Sequence, residues 1–295
     1  MKNVALYLIC VLIWGSTWLV ITFQLDSASP VVSVFYRFVI SAAILLPACF
    51  AFRIPMKFSR KDHLWFMGQG ICMFSTNYML TYVAEGMVSS GLVAVTFTLL
   101  LYYNILGTWL IFKTPLRRNV ILGSLVGGIG IGLIFLHEIL NFKAGSQAIL
   151  GLVVGAVATM FASVGNLISY VHRKGKVPVM ASNGYGMFYG ACFTLIVALV
   201  LQVSFATVWS PKYIWSLLYL SVFGTVIAFG AYISLVGRIG AERASYISII
   251  NPVIALILSS LFENFKWTPE IAIGIVLCLL GNVITLQKPK KRATS

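Results

Sequence analysis

Ten stretches of mostly apolar residues follow one another along the chain, near 4–22, 31–52, 64–84, 89–112, 119–137, 149–171, 180–203, 214–236, 243–262 and 270–287. Each is close to the roughly 20 residues an α-helix needs to cross the hydrocarbon layer of a bilayer. A segment in hydrocarbon must satisfy every backbone N–H and C=O internally, which leaves helices as the fold of such segments. The pattern therefore predicts an all-α membrane protein of ten transmembrane helices. Composition excludes the soluble alternative. Of 295 residues, 60% are hydrophobic and only 9% are charged, against roughly 25% charged in soluble domains. The longest connection is about eleven residues, so no soluble domain fits between spans. The first span runs from Val4 through Trp14-Gly15-Ser16-Thr17-Trp18 without a small-residue cleavage site, and reads as retained rather than as a signal peptide.

Charge placement orients the bundle, because cytoplasmic connections carry the excess of Lys and Arg. With the N-terminus inside, seventeen Lys and Arg fall on the inner side and three (Lys143, Lys212 and Lys266) on the outer. Both termini are then cytoplasmic in the cell inner (plasma) membrane, and residues 288–295 form a basic cytoplasmic tail. The net charge of +14 is mostly this topological signal, with a secondary attraction to anionic lipid. A nucleic-acid partner is set aside, since no polar stretch is long enough to carry a basic face. The partners expected are the bilayer and a small-molecule substrate, for a monomer or homodimer.

Chemistry of the enzymatic kind has no footing here. Cys10, Cys49, Cys72, Cys192 and Cys278 all lie in apolar runs with no CxxC pair, and His63, His137 and His172 are scattered at span ends. No metal, no cofactor and no catalytic residue is expected. The string Gly128-Ile129-Gly130-Ile131-Gly132 lies in a spanning segment with no strand before it, so it is no dinucleotide loop. Gly123/Gly127, Gly151/Gly155 and Gly186/Gly190 read as close helix-packing pairs.

The chain also matches itself at an offset near 150 residues. His63-Leu64-Trp65 aligns with Tyr213-Ile214-Trp215, Tyr82 with Tyr232 and Ala94 with Ala244; Gly123 and Gly130 align with Gly274 and Gly281. Residues 1–137 and 149–287 are thus two repeats of five spans each. Five is odd, so the second repeat enters the membrane inverted relative to the first. Inverted repeats of this kind place a binding site near mid-membrane at their interface and work by alternating access.

On these residues the chain resembles the drug/metabolite transporter superfamily, in its EamA branch. The resemblance is carried by Trp14-Gly15-Ser16-Thr17, Tyr36-Arg37-Phe38, the Tyr82-to-Ala94 connection, Tyr232 to Ala244, Asn251-Pro252, Glu263 and the Gly274/Gly281 pattern. It implies two tandem five-helix repeats and export of amino acids or related metabolites. The first repeat departs from it, with Leu101-Tyr102 where a proline like Pro252 is common and Lys113-Thr114 where an acid like Glu263 is common. Span 4 is accordingly expected to be straighter than span 9, and Pro252 to mark a helix break or gate.

Polar groups inside a membrane are costly and call for a partner, a cavity or a function. At helical spacing they gather into stripes: Thr159, Ser163, Asn166 and Tyr170 in span 6; Asn77, Tyr78, Thr81 and Tyr82 in span 3; Thr98 and Tyr102 in span 4; Ser221, Thr225 and Tyr232 in span 8. Ser248 and Asn251 in span 9 and Trp14, Ser16, Thr17 and Trp18 in span 1 join them. From these, a substrate cavity of Trp14, Ser16, Trp18, Asn77, Tyr78, Tyr82, Thr98, Tyr102, Ser163, Asn166, Tyr232, Ser248 and Asn251 is expected. Such a lining suits small amphipathic solutes rather than a bare ion. Arg37 is the one charge placed within a span. It can snorkel to the interface, pair with Glu85, or bind a substrate carboxylate. The function expected is export of small organic metabolites by a secondary transporter. A non-transporting partner or sensor subunit is the alternative, and a membrane-embedded lipid-processing enzyme a more distant one.

Overall fold

In a computed structural model of the chain, residues 2–113, 118–134, 136, 147–174, 177–239, 244 and 246–287 are described, the side chains of 171–174 excepted. The basic tail 288–295, Arg117, Lys143, Ser146, Lys176, Arg243 and His137 lie outside the described residues, as do the side chains of His172, Arg173 and Lys174.

The described residues form ten helical rods: α1 (Lys2–Leu25), α2 (Pro30–Ala51), α3 (residues 60–85), α4 (Ser90–Phe112), α5 (Arg118–Ile134), α6 (Gln147–Lys174), α7 (Val179–Val200), α8 (Pro211–Ile239), α9 (Ile247–Phe262) and α10 (Pro269–Leu286). Among them, α1, α2, α4, α6, α7, α8 and α10 are long and apolar enough to cross a membrane, while α5 and α9 are apolar but shorter. The rod α3 is not among the seven; its first turns carry Arg60, Lys61 and Asp62.

Several starts are written locally. Ser59 and Asp62 make a reciprocal capping box that opens α3, Ser59 Oγ accepting from the Asp62 amide and Asp62 Oδ2 from the Ser59 amide at 3.0 Å. Ser29-Pro30, Ser210-Pro211 and Thr268-Pro269 open α2, α8 and α10, each placing a proline where no intrahelical N–H is needed. Ends repeat as well. The non-glycine residues Arg53, Lys113, Gln202 and Asn264 have φ of 51–55° just past α2, α4, α7 and α9, the left-handed turn that closes many helices.

The repeat visible in sequence returns in the backbone. α3 carries a π-helical stretch at Gly70–Thr76 and α8 carries one at Tyr219–Ile227, separated by the same offset as the sequence match. Packing is crossed between the halves: α1 lies on α9 and α8, α2 on α7, and α4 on α6 and, through its first turns, on α9. The most extensive packing is of α5 on α10. A Cβ on Gly281 would meet the Gly123 carbonyl at 2.6 Å, and one on Gly274 would meet that of Gly130 at 2.6 Å. Each glycine thus touches the repeat equivalent of the other, and the two helices run antiparallel. Only residues without a Cβ permit this backbone contact.

The same logic bears out the other glycine pairs as packing sites. Gly186 and Gly190 in α7 receive the π-turn of α3 at Gly70, Gly151 receives Met87, and Gly155 receives Thr96. The expectation of a straight span 4 is corrected. α4 is interrupted at Phe97–Thr98 between helical pieces Ser90–Thr96 and Leu99–Phe112. The helix break expected at Pro252 is corrected too, because α9 runs unbroken through that residue. Pro252 is the sixth residue of α9, inside the helix, where its ring removes the N–H that would otherwise bond the Ser248 carbonyl. The two repeats share a 3₁₀-type bond at this level, Leu100 N–H to Phe97 O and Ile249 N–H to Tyr246 O, each at 3.1 Å.

Candidate functional site: a cavity shared by both halves

Eight of the rods converge on one cavity of about 350 Å³, within the range of small-molecule sites. Of the residues expected there, Trp14, Trp18, Asn77, Tyr78, Thr98, Asn166, Tyr232, Ser248, Asn251 and Pro252 line it, and so does Arg37. They come from α1, α2, α3 and α4 in the first repeat and from α6, α8 and α9 in the second.

The aromatic walls are fixed by hydrogen bonding and edge contacts. Trp14 donates its indole N–H to the Gly224 carbonyl at 3.1 Å and packs against Phe229 and Tyr232, with centroids 5.4 and 5.3 Å away. Trp18 meets the Phe97 ring edge-on at 4.6 Å, so the interruption of α4 presents an aromatic side chain to the cavity. The polar contributions are amides with acceptors to spare. Among the described residues, the Oδ1 atoms of Asn77, Asn251 and Asn282 are buried and find no hydrogen-bond partner, although all three residues line the cavity. Unmatched buried acceptors are costly.

Arg37 does not snorkel. It is 1% exposed. Its Nε and Nη2 donate to Thr225 Oγ1, each at 3.4 Å, its guanidinium carbon lies 4.5 Å from the Tyr78 ring centroid, and Nη1 has no hydrogen-bond partner among the described residues. Thr225 is available because of the π-helical stretch: its hydroxyl donates to the Leu220 carbonyl five residues back, at 2.8 Å. Extra-wide turns of this kind recur at functional sites. The direct Arg37–Glu85 pair is corrected, since among the described residues neither Glu85 oxygen accepts a hydrogen bond. Arg37 finds aromatic faces and a hydroxyl in place of a carboxylate.

Four residues expected in the wall lie outside it. Tyr82 is fully buried and donates to Gln24 Oε1 at 2.9 Å, which ties α3 to α1 behind the cavity. Ser16 bonds the Tyr219 hydroxyl at 2.7 Å. Tyr102 donates to the Gly123 carbonyl at 3.2 Å and fills the space over Gly127. Ser163 stands one layer back, donating at 2.9 Å to Oδ1 of Asn104, which itself lines the cavity. Each was placed by helical spacing, which fixes a face but not the depth of the neighbouring helix. Asn104 and Asn282 were missed. Both are single amides inside apolar runs, and that intramembrane polarity was the available signal.

Comparison with known proteins decides the family. The model of the EamA-like transporter family matches residues 1–136 and again 148–287. The chain belongs to the EamA-like transporter family. It is thus a family member matched twice, once per repeat, in a family of transporters and not of enzymes. Its relatives include YoaV of Bacillus subtilis (strain 168), an uncharacterized transporter 25% identical over 95% of this chain and 96% of its own length. YedA of Escherichia coli (strain K12), an uncharacterized inner membrane transporter, is 25% identical over 94% of this chain and 90% of its own. Protein PecM of Dickeya dadantii (strain 3937) is 22% identical over 96% and 91%. A solved crystal structure superposes with a TM-score of 0.68 over 96% of this chain and 95% of the other, at 16% identity, a likeness of fold.

Proposed function

We propose that this EamA-family chain is a secondary transporter of the inner membrane that exports small amphipathic organic solutes, amino acids or related metabolites, by alternating access. All ten rods cross the bilayer in this reading, as two inverted repeats of five, with both termini in the cytoplasm. The observation that carries it is the cavity: one chamber, walled by both repeats, with aromatic faces and amide oxygens that have nothing to bind. The reciprocal glycine contacts of α5 and α10 support the inverted relation, because a two-fold axis between them that carries Gly123 onto Gly274 and Gly130 onto Gly281 turns the Gly123–Gly281 contact into the Gly274–Gly130 contact. The name of the Escherichia coli relative supports the inner membrane.

Rings offer apolar contact and the amides orient a solute that carries N–H donors. Charged metal ions would call for carboxylates, and among the described residues none lines the chamber. The test is counterflow of labelled amino acids and related metabolites in proteoliposomes. Saturable flux of at least one solute, reduced several-fold by Asn251→Ala or Asn166→Ala in protein that melts normally, is the expected result. A panel in which nothing moves, or flux indifferent to both substitutions, overturns the reading.

A further inference from the structure

The chamber is covered far more at one end than at the other. Along α1 the lining passes from Trp14 and Trp18, half-buried, to Ile21, and Gln24 one turn beyond is wholly buried. Along α9 it passes from Ser248, which is exposed, through Asn251, and the helix continues to Leu256 and Ser259, both wholly buried. α4 shows the same gradient in the opposite sense, with Ser90 wholly buried and Asn104 half-buried. In the orientation proposed above, the sealed end faces outside and the less covered end faces the cytoplasm.

What seals that end crosses from one repeat to the other. Gly91 of α4 lies on α9, where a Cβ would stand 2.9 Å from Leu256 Cδ2 and 3.0 Å from Ser259 Cβ. Beyond this layer, Glu263 just past α9 grips the first residue of α4. One carboxylate oxygen accepts from the Ser90 amide at 3.2 Å and the other from the Ser90 hydroxyl. Glu263 lies twelve residues past Asn251, about 18 Å along a helix, and is no part of the solute wall. Hydrogen bonds to a carboxylate are about twice as strong as those between neutral groups. The Tyr82–Gln24 bond lies at the same end but joins helices of the first repeat alone. The opposite end lacks the means for an equivalent grip. At the repeat offset of 150, Glu263 and Ser90 correspond to Lys113 and Gly240. Lysine offers no acceptor and glycine no hydroxyl, so that pair cannot make the same bonds.

We propose that Glu263 is the latch of a one-sided outer gate: its carboxylate ties α9 to α4 through Ser90, holds the resting chamber closed to the outside, and lets go of Ser90 before the chamber opens outward. The inference rests on the transport reading above and adds to it the resting state and the contact that sets it. Opening outward parts α4 from α9 and exchanges two bonds at Glu263 for bonds to water. No such cost falls on the cytoplasmic end, so the equilibrium between the two states is tilted toward the cytoplasm-facing one. In an exporter, the empty chamber then waits on the side where solute is loaded.

The test reads from which face the chamber is reached, a property that a purely structural bond would not redirect. Thr81 lines the chamber toward its sealed end and is 2% exposed. Thr81→Cys offers a thiol there to a membrane-impermeant maleimide, applied to either face of sealed vesicles of the full-length protein and counted over the same protein without that substitution. With Glu263 and Ser90 intact, labelling is expected to be faster from the cytoplasmic face. Glu263→Ala should raise labelling from the outer face several-fold and lower it from the cytoplasmic face. Ser90→Ala, which keeps the backbone donor, should act in the same direction to a smaller extent, and it carries the test if Glu263→Ala fails to insert. Faster labelling from the outer face with both residues intact overturns the assigned resting state. Outer-face labelling unmoved by the substitutions, in protein that melts normally, overturns the latch; solute flux by that protein leaves the transport reading standing. Labelling that shifts as expected in protein that moves no solute supports the latch and overturns the transport reading.

Discussion

The guanidinium carbon of Arg37 lies 4.5 Å from the centroid of the Tyr78 ring, so a cation from α2 rests on an aromatic face from α3. Both residues line the cavity. A desolvated cation–π contact of this kind contributes about 2 kcal/mol, and the flat guanidinium stacks where an ammonium does not. Arg37→Lys is expected to lower both melting temperature and flux. A double-mutant cycle of Arg37→Lys with Tyr78→Leu should return a coupling of about 1–2 kcal/mol. Additive effects would deny the contact its role.

Tyr82 separates stability from binding. Its hydroxyl serves Gln24 and not the cavity. Removing it with Tyr82→Phe leaves a buried amide oxygen unpaired, at a cost of about 1–3 kcal/mol. Melting temperature should fall while KM for any transported solute stays within about twofold, a change of roughly 0.4 kcal/mol. Asn166→Ala should do the reverse, raising KM with little loss of stability. A raised KM in Tyr82→Phe would move that residue into the wall.

Glycine substitutions along α5 and α10 distinguish packed from open faces. A Cβ on Gly281 would stand 2.6 Å from both the Gly123 carbonyl and the Gly127 amide, atoms that cannot turn aside. Gly281→Ala should therefore lower the melting temperature sharply or abolish insertion. At Gly128 a Cβ meets nothing within 4 Å, so Gly128→Ala should be neutral or stabilising by up to about 1 kcal/mol. Equal effects at the two positions would contradict the seam.

Reporter fusions test the orientation. Fusions after Phe58 and after Lys288 should report cytoplasm, and one after Ser146 the opposite side, as the Lys and Arg asymmetry requires. A cytoplasmic signal at Ser146 would break the count of five spans in the first repeat.

Much of the architecture was legible because hydrophobic length and helix punctuation are local. The serine–proline and threonine–proline starts and the spacing of Gly186 and Gly190 are written within a few residues, and the offset that pairs Gly123 with Gly274 shows when the chain is aligned with itself. The cavity was legible in part. Helical spacing identified the faces of Trp14, Asn77 and Asn251, which converge. It could not tell that Ser163 would stop at Asn104, or that Tyr82 would be taken by Gln24, since those outcomes depend on a helix distant in sequence. The break in α4 had no signal of its own, because Phe97-Thr98 lacks the glycine or proline that usually interrupts a helix. The π-helical stretches were equally silent. They insert a residue into the turn without changing the hydrophobic pattern around it.

Packed helices ordinarily accommodate one another through rotamers, which allow a contact to slide by a fraction of an ångström and settle again. Between Gly123 and Gly281, and between Gly130 and Gly274, main chain faces main chain and there is no rotamer to turn. The two repeats are joined there as by an axle, fixed in its bearing. In the alternating-access reading proposed above, displacement of one repeat against the other would be taken up away from this seam, at the chamber lined by Trp18, Phe97 and Arg37, where the contacts are between side chains.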